Sequence, residues 1–270
     1  MTSPASSPPD PGLLLTIAGA EETLLLALGQ ADAAGKPPRL LTHRQWTAPG
    51  RFMTLLHPGL DEMLRELGRP AADVGRIACV AGPGSFTGLR ITLAAAEGLA
   101  LATGAATAGL DHLALLAREP AAQDASHAGG TLAVVTHSRM RQVYVQAFRR
   151  PDAAPLGPAR PLSLDQAAAA LAALPGPVAA LGSGLRRNAE FFDALAAATP
   201  DLTLLPPDLD RPRPEALLAA AAEADFGPGP IEPVYLRPSD AEENLDAIAR
   251  ARGIDPARAR ADLDAARGRP

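Results

Sequence analysis

Hydrophobic positions begin at Leu13 and arrive first as short continuous runs, LLLTIAG, TLLLALGQA and RLLTHRQWT, separated by AEE and DAAGKPP. Runs this short, bounded by Gly and Pro, predict strands, and their close succession predicts an antiparallel meander over 13–47. The period then changes. In RFMTLLHPGLDEMLREL (51–67), Phe52, Leu55, Leu56, Leu60, Met63, Leu64 and Leu67 recur at helical spacing, with Pro58 and Gly59 expected to bend or interrupt the start. RIACVAG (76–82) reads as a buried strand, and GLRITLAAAEGLALATG (88–104) as a second long helix.

A similar order returns after a polar loop at about 119–130. Strands are predicted at TLAVVTH, at QVYVQAFR and near 156–162, followed by helix SLDQAAAALAAL, strand PVAALGSG, helix LRRNAEFFDALAAA, a short LTLL and helix RPEALLAAAAEA. Each half thus runs strands, helix, strand, Gly-containing loop, helix, without alignable sequence, which suggests two α/β lobes facing a cleft. The expected organisation is a disordered Pro/Ser-rich lead-in at 1–12, lobes at 13–118 and 119–238, and a charged helical or frayed tail at 239–270.

Composition narrows the function classes. At 270 residues the chain is long enough for two lobes, and its net charge of −5 argues against a protein that wraps a nucleic-acid backbone by itself. Cys79 is the single cysteine, so no intramolecular disulfide forms and a cytoplasmic setting fits. LLLTIAGA meets Glu21 and Glu22 before reaching membrane-spanning length, and no membrane role is expected. The five histidines lack metal-ligand spacing; no metal or cofactor is expected.

One stretch stands out: Gly82, Pro83, Gly84, Ser85, Phe86, Thr87 and Gly88, between the strand and the second helix. A strand, a Gly-rich turn and a helix can aim backbone N–H groups at an anion. The phosphate-loop pattern nevertheless fails, because Leu89 and Arg90 follow Gly88, and the dinucleotide pattern fails because Thr87 stands at its third glycine. Ser85 is out of register for a nucleophile elbow, and a capping or turn role is the better reading. The second helix carries Ala94, Ala95, Ala96, Gly98, Ala100 and Ala102, small residues that admit a close neighbour, while the first offers bulky knobs. Packing onto the chain's own sheet must account for at least one face of each helix; beside that reading, Phe52, Leu56, Leu60, Met63, Leu64, Arg90, Leu93, Ala94, Ala95 and Gly98 are the candidate partner interface. Some of the bulky positions are expected to be exposed until a partner covers them.

The run GPGSFTGLRI resembles the signature of the bacterial TsaB family, also called YeaZ. VVTHSRMRQVYVQAF resembles that family's V-I-D-A-R-M-G-E-V-Y segment, ALGSGL its second-lobe glycine loop and PVYLRP its C-terminal strand ending, together spanning about 13–238. The resemblance implies a duplicated actin-like ATPase fold (ribonuclease H-like, sugar kinase and Hsp70-like) of two α/β lobes. It also implies a non-catalytic subunit that binds and stabilises TsaD for threonylcarbamoylation of adenosine 37 in tRNAs reading codons that begin with A. TsaE joins as an ATPase partner, a homodimer can use the same two helices, and tRNA is met only through the complex. Three departures matter. Ala18 stands where such folds end the first strand with Asp, His137 replaces the Asp of V-I-D-A-R, and Arg51, Phe52 and Met53 replace the H-S-E opening of the first helix. Missing carboxylates weaken the alternative readings, an ATP-dependent kinase or ATPase and, less favoured, a peptidase.

Overall fold

A computed structural model describes residues 12–30, 38–123, 130–238 and 240–266. The lead-in up to residue 11, the turn at 31–37, the 124–129 part of the polar loop and the last four residues lie outside the described residues. Two compact units are present, Met1–Val234 and Tyr235–Pro270.

The first unit holds two five-stranded sheets. β1 (Leu13–Ala18), β2 (Thr23–Gln30) and β3 (Arg39–Thr47) form the predicted meander, after which come β4 (Val74–Gly82) and β5 (Ala106–Asp111). The order is β3-β2-β1-β4-β5, antiparallel on the meander side and parallel from β1 to β4 and β5. The second sheet contains β6 (Thr131–Arg139), β7 (Gln142–Arg149), β8 (Arg160–Ser163), β9 (Val178–Leu181) and β10 (Leu202–Leu204), ordered β10-β9-β6-β7-β8 with the same alternation of directions. One topology used twice is the duplicated actin-like, ribonuclease H-like fold. The parallel pairs need crossover helices, which explains why the helical patterns recur at matching places in both halves.

Every residue of β1 is buried, so its sheet must be covered on both faces. Cover comes from α1 (Phe52–Glu66), α2 (Phe86–Thr103) and α7 (Pro214–Ala222), whose Leu217 and Leu218 enter the first core although α7 follows the second sheet in the chain. α3 (His112–Gln123), α4 (Leu164–Ala172), α5 (Ser183–Arg187) and α6 (Ala189–Ala198) complete the unit. A reciprocal cap starts α4: Ser163 Oγ accepts the Gln166 N–H at 3.3 Å and Gln166 Oε1 accepts the Ser163 N–H at 2.9 Å. In the second unit, α8 (Asp240–Glu243), α9 (Leu245–Ala251) and α10 (Pro256–Ala266) follow, with Arg260 forked onto Asp246 through two 2.8 Å bonds.

Several expectations change. α1 runs unbroken through Pro58; Pro58 and Thr54 are both exposed, so the carbonyl that loses its helical partner faces water. α3 replaces part of the expected 119–130 loop, buried through Leu113, Leu115, Leu116 and Ala117 and begun by Asp111 Oδ1 accepting the Ala114 N–H at 2.8 Å. The helix expected over 185–198 is broken at Asn188, whose ψ of 41° leaves the helical region. Segment 233–238 forms no strand; the Val234 N–H makes a single 2.8 Å bond to the Ala81 carbonyl.

Candidate functional site

The glycine run is a packing joint. β4 ends at Gly82, the Gly82–Pro83 peptide is cis, and α2 begins at Phe86 with Ser85 as its N-cap, Oγ accepting the Gly88 N–H at 3.2 Å. The capping role read for Ser85 is what the fold uses. The Ser85 N–H donates to the Ala20 carbonyl at 2.6 Å, tying this loop to the β1–β2 turn. A Cβ at Gly84 would lie 2.2 Å from the Ala20 oxygen, and one at Gly88 would lie 2.4 Å from the Gly19 oxygen. Both glycines therefore serve close backbone approach, and the Ser85 and Gly88 N–H groups are already engaged.

Of the candidate interface positions, Phe52, Leu56, Leu60, Met63, Leu64 and Leu93 lie in the chain's own core, none more than 7% exposed. The expectation of exposed bulky knobs on the first helix is thereby corrected. α1 turns one apolar stripe inward, and Gly59 lets it press on Trp46 of β3, where a Cβ would meet the indole at 2.3 Å. Arg90, Ala94 and Gly98 are exposed and Ala95 is half-buried, all on the outer side of α2. With Ile91, Leu101 and Ala102 they recur at three- and four-residue steps and form one weakly polar face. Leu101 is 88% exposed, Met53 72%, and Phe86 39% with the Arg90 guanidinium 4.1 Å from its ring centre. The sequence reading had not singled out Leu101. Its signal was available, since only Arg90 and Glu97 are charged in an 18-residue helix with little polar face to turn toward water.

A second cluster joins the two sheets. Ala18 is buried at the end of β1, and three residues further along the chain stands Glu21, whose Oε1 accepts the Ser183 hydroxyl and whose Oε2 lies 3.4 Å from His112 Nε2. Ser183 Oγ also accepts the His137 backbone N–H at 2.9 Å, and Glu22 pairs with Arg187. Burial pushes the Glu21 carboxyl up, but the neighbouring His112 and the Ser183 hydroxyl outweigh it and hold the group below its usual value. His137 is held below the usual imidazole value by burial and by the Arg187 charge. Close by, Asp210 accepts the Gly182 N–H at 2.6 Å and Arg186 Nε at 2.9 Å; burial nonetheless raises its carboxyl. Among the described residues no group of three His, Cys, Asp or Glu side chains is placed to hold a metal ion. No helix among them is long and apolar enough to cross a membrane.

The TsaD family model, tRNA N6-adenosine threonylcarbamoyltransferase, matches residues 48–156, which run from the start of α1 through the β6–β7 hairpin. A 58-residue stretch is 48% identical to the tRNA N6-adenosine threonylcarbamoyltransferase of Solidesulfovibrio magneticus, covering 22% of this chain but only 16% of that protein. An uncharacterized protein of Mycobacterium tuberculosis is 32% identical over 187 residues, 69% of this chain and 75% of that protein. Among solved structures, YeaZ from Pseudomonas aeruginosa superposes with a TM-score of 0.61 at 23% identity, over 83% of this chain and all of that one. A second Pseudomonas aeruginosa structure, described as similar to peptidase YEAZ, gives 0.62 at 24%, over 84% of this chain and all of that one. The structures establish the fold, and the sequence matches carry the kinship. Sharing the glycine signature, the relation to the mycobacterial protein and this architecture, the chain belongs to the TsaB (YeaZ) family.

Proposed function

We propose that this chain is a non-catalytic subunit that binds and stabilises a TsaD-type transferase for N6-threonylcarbamoylation of adenosine 37 in tRNAs reading ANN codons. Docking uses the outer face of α2, and the exposure of Leu101 beside Ala94, Gly98 and Ala102 is the observation that carries the reading. Water gains nothing from such a face, and the small residues let a partner helix approach closely. The match of residues 48–156 to the TsaD family supports a chain related to its own partner. TsaE joins the larger assembly, a second copy of this chain competes for the same face, and tRNA is reached only through the complex.

Catalysis is assigned to the partner because Ala18 and His137 offer no carboxylates for a metal-bound phosphate, and Glu21 is engaged with Ser183. The purified chain is expected not to turn over ATP. Gly98→Arg and Leu101→Asp test the face directly, since both positions are exposed and monomer stability should move by no more than about 1 kcal/mol, upward for Gly98→Arg through helix propensity and downward for Leu101→Asp in the last turn of α2. A charge set into an apolar contact should cost at least about 2 kcal/mol, roughly 30-fold in affinity for the cognate TsaD. Co-elution on gel filtration and a tRNA modification assay read the effect. Normal binding and full modification by both folded variants would remove α2 as the docking face.

A further inference from the structure

The β1–β2 turn does more than reverse the chain. It is clamped on its own lobe by the glycine run: the Ser85 N–H holds the Ala20 carbonyl, and Gly84 and Gly88 press against Ala20 and Gly19 with no room for a Cβ. From this fixed base Glu21 and Glu22 extend to the other half of the chain. Glu21 takes the hydroxyl of Ser183 and Glu22 takes the guanidinium of Arg187, residues 162 and 165 positions away on α5. His112, 3% exposed at the start of α3, faces the same Glu21 carboxylate, its Nε2 3.4 Å from Oε2. Ser183 is itself held by the His137 N–H at the end of β6.

We propose that residues 19–22 form an interlobe lock, in which the glycine signature is the clamp and Glu21 the hook that sets the two sheets in one fixed relation. A hook works only if its base cannot move. Clamping the turn removes the backbone freedom that a loop would otherwise lose on binding Ser183, so the half-buried Glu21 carboxylate fixes the angle between lobes that already meet where α3 packs on β6 and β7. The lock also engages Ser183 in the glycine loop after β9, while Asp210 takes the Gly182 N–H of that loop. Intramolecular carboxylates thus occupy donors that an external anion would need. The inference stands on these contacts and is independent of the transferase reading.

The test measures the distance between the lobes in the full chain. Spin labels on Glu62→Cys in α1 and Glu190→Cys in α6 sit at exposed positions, while buried Cys79, its thiol pushed up to about 12, does not compete. Pulsed electron paramagnetic resonance should give one narrow distance distribution in the otherwise unaltered chain. Adding Glu21→Ala should widen it at least twofold, with far-ultraviolet circular dichroism unchanged. Should Glu21→Ala fail to fold, Ser183→Ala, which removes only the hydroxyl, takes its place with the same expected widening. A folded variant that keeps the narrow distribution overturns the lock, whatever the chain's affinity for TsaD.

Discussion

Gly88→Ala adds one methyl group at the third residue of α2, and the structure sets its cost. The new Cβ would lie 2.4 Å from the Gly19 carbonyl oxygen, about 1 Å inside comfortable contact. The obstacle is backbone, tied down because the adjoining Ala20 carbonyl accepts the Ser85 N–H, so no rotamer change relieves it. Either α2 or the β1–β2 turn must shift, and α2 is anchored by buried Leu89, Thr92, Leu93 and Ala96. Overpacking of this kind costs about 2–3 kcal/mol, against which alanine recovers about 1 kcal/mol of helix propensity. The net loss of about 1–2 kcal/mol corresponds to a fall in Tm of about 2–8 °C for a unit of this size. Gly98→Ala in the same helix makes the internal control. Nothing lies within 4 Å of its added Cβ, so propensity acts alone and Tm should rise by about 1–4 °C. Thermal melts by circular dichroism, with urea midpoints as a second measure, separate the two. If Gly88→Ala melts at or above the parent temperature, the close approach is not a packing constraint.

Leu60→Asp should unfold the chain rather than merely block docking, because Leu60 is 7% exposed within the first core; loss of the cooperative melt is the readout. Cys79, buried with its thiol pushed up to about 12 by desolvation, should resist a thiol reagent at pH 8 in the native chain and react at once in denaturant. Stability should fall with acid in two stages. His137 and Glu21 both bind protons more weakly folded than unfolded, so the His137 contribution is lost as pH drops below about 6.5 and the Glu21 contribution below about 4.3. Asp210, raised by burial, acts in the opposite sense just above the ordinary aspartate value, and Asp210→Asn isolates that part in urea titrations at stepped pH.

Local pattern determined much of this molecule. The meander, the strand before the glycine run, both long helices, the doubled order of elements and the capping role of Ser85 all follow from spacing and turn chemistry within a few residues. The family signature was legible for the same reason, since Gly84, Ser85 and Gly88, which make the clamp, lie within five residues of one another. The α1 stripe was legible as apolar but not as core: helical spacing says which residues share a face, and only the sheet beneath says whether that face is already covered. Tertiary structure alone decided that Gly59 seats Trp46, that α7 returns to the first sheet and that α2 keeps its outer face bare. It alone also brought Glu21 to Ser183, 162 positions away, and His112 to Glu21. Such pairings leave no periodic trace in the chain, because they depend on where two separately formed sheets come to rest, a nonlocal outcome that no window of sequence contains.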